Sequence, residues 1–220
     1  SFTEGISSKF GGRDTLAPRQ RLVLVFDPIA FATTYGAGVS ISGTYTSRLA
    51  NDGERITLVA ADGSIIQTLR YNDKAPWPTS ADGTGYSLVL VAPVAQPDHE
   101  GPQNWRSSKE PGGTPGSSDS SPYLGSTDLE LMQYATGETA SGEIHYLDGQ
   151  AILKHFRVHG ADDASITGEV SSDMKNWTTS GVEFRSQENQ LHDRAKIRWT
   201  LPNAAIGQPL LARIVVTLHP

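Results

Sequence analysis

Three groups of residues in this chain have types and spacings that could do chemistry: loop carboxylates, a histidine pair, and aromatic side chains set among prolines. Asp73 and Asp82 flank the run Lys74-Ala75-Pro76-Trp77-Pro78. Two carboxylates there, with loop carbonyls, could share a calcium ion, a hard cation that takes oxygen ligands. The competing role is ordinary, because Asp side chains in turns accept hydrogen bonds from nearby backbone amides. Asp119 and Asp128 lie among serines further on, but the regular D-x-[DN]-x-[DN]-G spacing of a calcium loop is missing. No cofactor and no metal are expected. Were calcium to bind, Asp73, Asp82 and Asp119 are the candidates.

His155 and His159 have the i, i+4 separation of metal ligands on a helix. Ile152, Phe156 and Val158 alternate around them, however, which is a strand pattern. In a strand the two histidines stand about 13 Å apart at roughly 3.3 Å per residue, too far for one metal. Both are expected to face solvent. Trp77, Tyr86 and Trp105 are the candidates for stacking on a sugar ring. The structural alternative for Trp77 is that two prolines fix the backbone while the indole caps the end of a β-fold.

Catalytic signatures are missing. The sequence has no G-x-S-x-G, HExxH or G-x-x-x-x-G-K-[ST] motif. Ser, His and Asp occur without a spacing that selects a triad, and Gly112-Gly113-Thr114-Pro115-Gly116 lacks the lysine of a phosphate loop. The expected protein is not an enzyme. Asn176-Trp177-Thr178 forms an N-glycosylation sequon, a tripeptide that also arises by chance.

The 220 residues carry 18 Lys/Arg against 24 Asp/Glu, a net charge of −6. Residues 1–116 hold 10 basic and 11 acidic side chains, and residues 117–220 hold 8 and 13, so −1 and −5. Neither part offers the basic surface that nucleic-acid binding requires. No apolar run is long enough for a membrane helix. Cysteine is absent, which excludes disulfides, thiolate metal sites and a cysteine nucleophile. Twenty-two Gly and 13 Pro suit a β-protein with many chain reversals.

The elements that must position these residues follow from local pattern. Residues 21–26 are apolar and β-rich, and Asp27-Pro28 reads as the cap and first residue of a short helix that Gly36 stops. Strands 55–59 and 64–69 flank Ala60-Ala61-Asp62-Gly63, a hairpin signal because the turn needs a positive φ. Residues 86–91 form another strand, and residues 93–126 are rich in Pro, Gly and Ser. Thr127-Asp128-Leu129-Glu130 fits a capping box opening a helix that Gly137 ends. Six strands are expected after it, at 143–147, 151–159, 165–171, 182–185, 195–200 and 211–218.

The blocks Asn72-Asp73-Lys74-Ala75-Pro76-Trp77-Pro78, Ala81-Asp82-Gly83-Thr84-Gly85-Tyr86-Ser87-Leu88, Asn104-Trp105-Arg106-Ser107-Ser108 and Gly43-Thr44-Tyr45-Thr46-Ser47-Arg48 occur in this order. Together they resemble the lamin-tail domain, an immunoglobulin-like β-sandwich. Residues 168–177, Gly168-Glu169-Val170-Ser171-Ser172-Asp173-Met174-Lys175-Asn176-Trp177, are similar to a motif in a C-terminal module that closes many large secreted bacterial proteins.

The expected fold is therefore all-β, two tandem β-sandwiches with short helices. A lamin-tail-like domain would span 1–116, a linker with a short helix 117–142, and a smaller C-terminal sandwich 143–220. The resemblance implies that the family's opening strands precede Ser1, so that upstream residues or a donated strand complete the first sandwich. It also implies a non-catalytic structural or interaction module, outside the cell or on its surface, belonging to a larger bacterial protein. Upstream domains or neighbouring subunits are the expected partners. A polysaccharide is the alternative, as is assembly into a surface filament.

Overall fold

The computed structural model describes residues 1–11, 15–139, 142–191, 194–204 and 207–218. The protein is mostly β-sheet with two short α-helices among the described residues, the expected all-β class. It divides into two compact units. Ser1–Asp73 with Gly113–Ser118 make the first, and Lys74–Gly112 with Asp119–Pro220 the second. The division differs from the expected boundary at 116. Residues 74–112 group with the C-terminal residues, because side chains such as Arg106 find their partners there.

In the first unit the hairpin expected from Asp62-Gly63 forms. Strands β4 (Arg55–Val59) and β5 (Ile65–Arg70) pair antiparallel, and Gly63 takes a φ of 86° at the turn. The sequence pattern did not mark β1 (Phe2–Glu4), which pairs antiparallel with β4 to make the order β1-β4-β5. Of the apolar run 21–26, two residues form β2 (Leu24–Val25), parallel to β3 (Gly43–Thr44). Between them lies α1 (Pro28–Tyr35), which starts where the Asp27 carboxylate accepts from the amides of Ile29 and Ala30 at 2.9 and 3.0 Å. That bond satisfies amides a helix start leaves open. The helix buries none of its residues. Val25 is the one buried apolar side chain of this unit among the described residues.

The second unit starts with β6 (Leu88–Leu90) and β7 (Trp105–Ser107), an antiparallel pair. Helix α2 (Asp128–Thr136) opens on the expected capping box. Thr127 Oγ1 accepts from the Glu130 amide at 3.2 Å, and Glu130 accepts from the Thr127 amide at 3.0 Å. Then follow β8 (Glu143–Leu147), β9 (Gln150–Val158), β10 (Ala164–Ser171), β11 (Glu183–Leu191), β12 (Arg194–Thr200) and β13 (Leu211–Leu218). Four of them form a sheet in the order β11-β12-β9-β8, and β10 pairs with β13 in a second.

The core draws on both sheets and the helix. Leu153 from β9, Ile166 and Val170 from β10, Ile214 from β13 and Ala135 from α2 are buried in one cluster. Because side chains alternate along a strand, Ala151, Leu153, His155 and Arg157 share one face of β9. That face begins apolar and ends polar.

Candidate functional site

The sheet face that carries Leu153 continues past the core into a cleft of about 240 Å³. Its walls come from β9, β10, β11 and β12, and from residues 91–104. His155 and Trp199 form one side, their rings nearly parallel with centroids 6.4 Å apart, and Phe184 meets Trp199 edge-on at 5.6 Å. The pairing register explains the arrangement. Trp199 lies opposite Leu153, and Ile197 opposite His155, on the adjacent strands.

His155 is 2% exposed and contradicts the expectation that it faces solvent; His159, at 3%, does so too. The expected strand 151–159 forms as Gln150–Val158, so His155 lies in it on an inward face, whereas His159 lies in the turn that follows. One hydrogen-bond pattern fits both nitrogens of His155. The Nδ1–H donates to the Phe156 carbonyl at 2.8 Å, and Nε2 accepts from the Trp199 indole N–H at 2.9 Å. Only a neutral imidazole with its proton on Nδ1 can do this. Burial, reinforced by the nearby Arg157 charge, lowers its pKa to about 4. Gln187 is also buried, and its amide donates to the carbonyls of Pro102 and Trp105 at 3.0 and 2.7 Å, fixing one wall of the cleft.

Beside the cleft lies a buried ionic clamp. Arg106 is 0% exposed. Its Nε and Nη2 donate to the two carboxylate oxygens of Asp162 at 2.7 and 2.6 Å. Its Nη1 donates to Asp119 Oδ2 at 2.5 Å and to the Ser107 carbonyl at 2.8 Å, and Nη2 also reaches the Asp119 carbonyl at 3.1 Å. Five N–H donors make five bonds, which is the full capacity of a guanidinium. Burial alone would lower the Arg106 pKa, but the bonds and charges of Asp162 and Asp119 outweigh it and raise it. Around the clamp, Ser121 donates its amide to the Gly160 carbonyl at 2.7 Å and Tyr123 to Asp163 at 2.8 Å. The Tyr134 hydroxyl bonds the Asp163 carboxylate, and burial with that neighbour raises its pKa well above the ordinary range. Gly160 is required here. It has a φ of 90°, and a Cβ would lie 2.9 Å from the Lys109 side chain and 3.2 Å from the Asp119 carbonyl.

The residues singled out from sequence fall into different roles. Asp119 is a clamp carboxylate, with a second bond from the Lys109 amide at 3.0 Å. Asp73 belongs to the first unit and Asp82 to the second, where Asp82 is exposed after the short turn Thr79–Ala81. Among the described residues, no group of three or more His, Cys, Asp or Glu could hold a metal ion. Trp77 is 6% exposed and packs against half-buried Trp105, with ring centroids 5.9 Å apart. The Trp105 indole donates to the His99 carbonyl at 2.9 Å. Tyr86 is half-buried. Asn176 of the sequon is exposed, with its amide donated to Asp173 at 2.6 Å.

Sequence reasoning missed Arg106, Arg157, Phe184 and Trp199 as site residues. The one signal was a polar pair, His155 and Arg157, in the same alternate positions of a strand as the apolar Ala151 and Leu153. No family model, curated protein or solved structure matches the chain.

Proposed function

We propose that this chain is a non-catalytic structural and interaction module, with the second unit as its rigid scaffold and the first as the surface that engages a protein partner. Unequal burial carries this reading. Helix α1 buries none of its residues, Ile29 is 81% exposed, and Ile65 and Ile66 on β5 are 65% and 59% exposed. Contiguous apolar patches mark interaction sites in stable proteins, and α1 and β5 each offer exposed apolar side chains while the unit that carries them buries only Val25 among its described apolar residues. In the second unit Arg106, Asp119 and Asp162 are consumed by one another and hold chain segments together.

The lamin-tail resemblance of residues 1–116, with that of residues 168–177 to a module closing secreted bacterial proteins, supports reading the chain as tandem β-sandwiches of a larger bacterial protein, located outside the cell or on its surface. The partner is then another part of that protein or a neighbouring subunit. Polysaccharide binding has less support. Among the described aromatic side chains, Phe26 and Tyr146 are the exposed ones, one in each unit, and a stacking platform needs several together.

Hydroxyl-radical footprinting tests the reading on intact source cells and on the isolated chain. Ile29, Ile65 and Ile66 should be protected on cells and reactive in isolation, whereas exposed Leu124 of the second unit reacts equally in both. Equal reactivity at all four sinks the interaction surface. Labelling of Leu124 that appears only after lysis sinks the surface location.

A further inference from the structure

The cleft between β9 and β10 has a charge imbalance that its own walls do not resolve. Arg157 is the one described lining residue with a full charge, since His155 is neutral and no Asp or Glu lines the cleft. The guanidinium is anchored from one side, where Nη2 donates to the carbonyls of Ala161 and Ala164, each at 3.2 Å. Its Nε is buried without a hydrogen-bond partner among the described residues. The nearest acid in electrostatic terms is Asp162, and both oxygens of that carboxylate are held by Arg106. Arg157 therefore has a charge to offer and no local carboxylate to take it. An unmet buried donor of this kind is costly, and a bound anion removes the cost.

The rest of the cleft constrains what that anion is. Trp199, Phe184, Ile166 and Ile197 supply apolar walls. A site with mostly apolar walls and one placed charged group is the usual form of a small-molecule pocket. At about 240 Å³ it lies below the roughly 300–1,000 Å³ of drug-sized sites. A single guanidinium matches one carboxylate by its fork geometry, while a dianionic phosphate ordinarily recruits further cations or backbone amides.

We propose that this cleft binds a small monocarboxylate with an apolar body, its carboxylate on Arg157 and its body against Trp199 and Phe184. The site is independent of the interaction surface on the first unit and can fail or stand without it.

Benzoate and its neutral isostere benzamide are the probes, titrated into the full chain while the Trp199 indole N–H and Arg157 Nε–H resonances are followed by NMR. Benzoate should shift both signals saturably, and benzamide should bind at least about tenfold more weakly, since it cannot neutralise the guanidinium. Arg157→Met should lose benzoate by a similar factor, with Arg157→Lys falling between because it keeps the charge but not the fork. Should Arg157→Met fail to fold, Thr167→Phe provides the control. Thr167 lines the cleft from β10, so the larger side chain takes up space in it while Arg157 is kept, and benzoate binding should disappear. Equal binding of benzoate and benzamide, an unaltered affinity in Thr167→Phe, or no shift across the millimolar range of benzoate overturns the proposal.

Discussion

The two units of this chain are built from the same kinds of residue and reach opposite states of burial. The first makes strands of two to six residues and buries one apolar side chain, Val25, among those described. The second makes strands of up to nine residues and packs Leu153, Ile166, Val170, Leu201 and Ile214 into a continuous core. Length explains part of the contrast. A nine-residue strand presents four or five side chains to one face, enough to cover a neighbouring sheet, whereas β2 presents one. The rest comes from side chains that tie distant segments together. Arg106, Asp119 and Asp162 stitch residues far apart in sequence inside the second unit, and the first has no comparable buried ion pair among its described residues. Stability should thus be concentrated in one unit, leaving the other to respond to its surroundings.

The strongest way to break this contrast is to remove the clamp. Arg106→Ala leaves Asp119 and Asp162 buried without their counter-ion, and losing one partner of a buried pair typically costs about 3–5 kcal/mol. All four tryptophans, Trp77, Trp105, Trp177 and Trp199, belong to the second unit. Tryptophan fluorescence during urea unfolding therefore reports that unit alone. The expected result is a lower midpoint that corresponds to a loss of that size, and an unchanged midpoint would show that the clamp is not what holds the second unit.

Much of the scaffold was legible in the sequence, and the site was not, for a physical reason. Asp27-Pro28, Asp62-Gly63 and the Thr127–Glu130 box are local signals, in which the residues that form the contact are neighbours in the chain. Each appears in the structure where it was expected. Arg106 finds Asp162 across 56 residues, and Trp199 finds His155 across 44. No local pattern encodes such a meeting. The histidines show how a correct element can mislead. Strand periodicity placed His155 in a strand but could not say that its face looks inward, because a buried, hydrogen-bonded imidazole leaves the same sequence trace as a solvated one; it also ran one residue too far, since His159 lies in the turn after the strand. The strand β1 was invisible for a similar reason, since its partner β4 lies more than fifty residues away.

A pH titration sharpens the comparison at smaller scale. His155 has a pKa of about 4 in the folded protein against 6.5 for a free imidazole. Because the folded value is depressed, the neutral form is favoured by folding. The stabilisation is complete above pH 6.5 and declines as pH falls toward 4, where protonation destroys the acceptor for the Trp199 indole. The difference corresponds to at most about 3 kcal/mol. Urea midpoints of the second unit should fall across that window, and His155→Gln, which carries no titrating group, should flatten the profile. Arg157, which faces the same imidazole, stays protonated throughout and contributes no slope of its own. A profile identical in wild type and His155→Gln would assign the pH dependence to carboxylates instead.

The smallest expected effect is the most informative about the first unit. Ile29 stands on α1 at 81% exposure, so truncating it removes almost no buried surface in the isolated chain. Ile29→Ala should change stability by no more than about 0.5 kcal/mol, the usual range for surface positions. The same truncation of a core side chain in the second unit, Leu153→Ala, should cost about 2–5 kcal/mol. Hydrogen exchange can follow the two units separately, through the amides of α1 and of β9. If Ile29→Ala is neutral in isolation but lowers the protection of α1 in the assembled native protein, then its burial is supplied by a partner. If it destabilises the isolated chain as strongly as Leu153→Ala does, the first unit already has a core of its own and the interaction reading loses its basis.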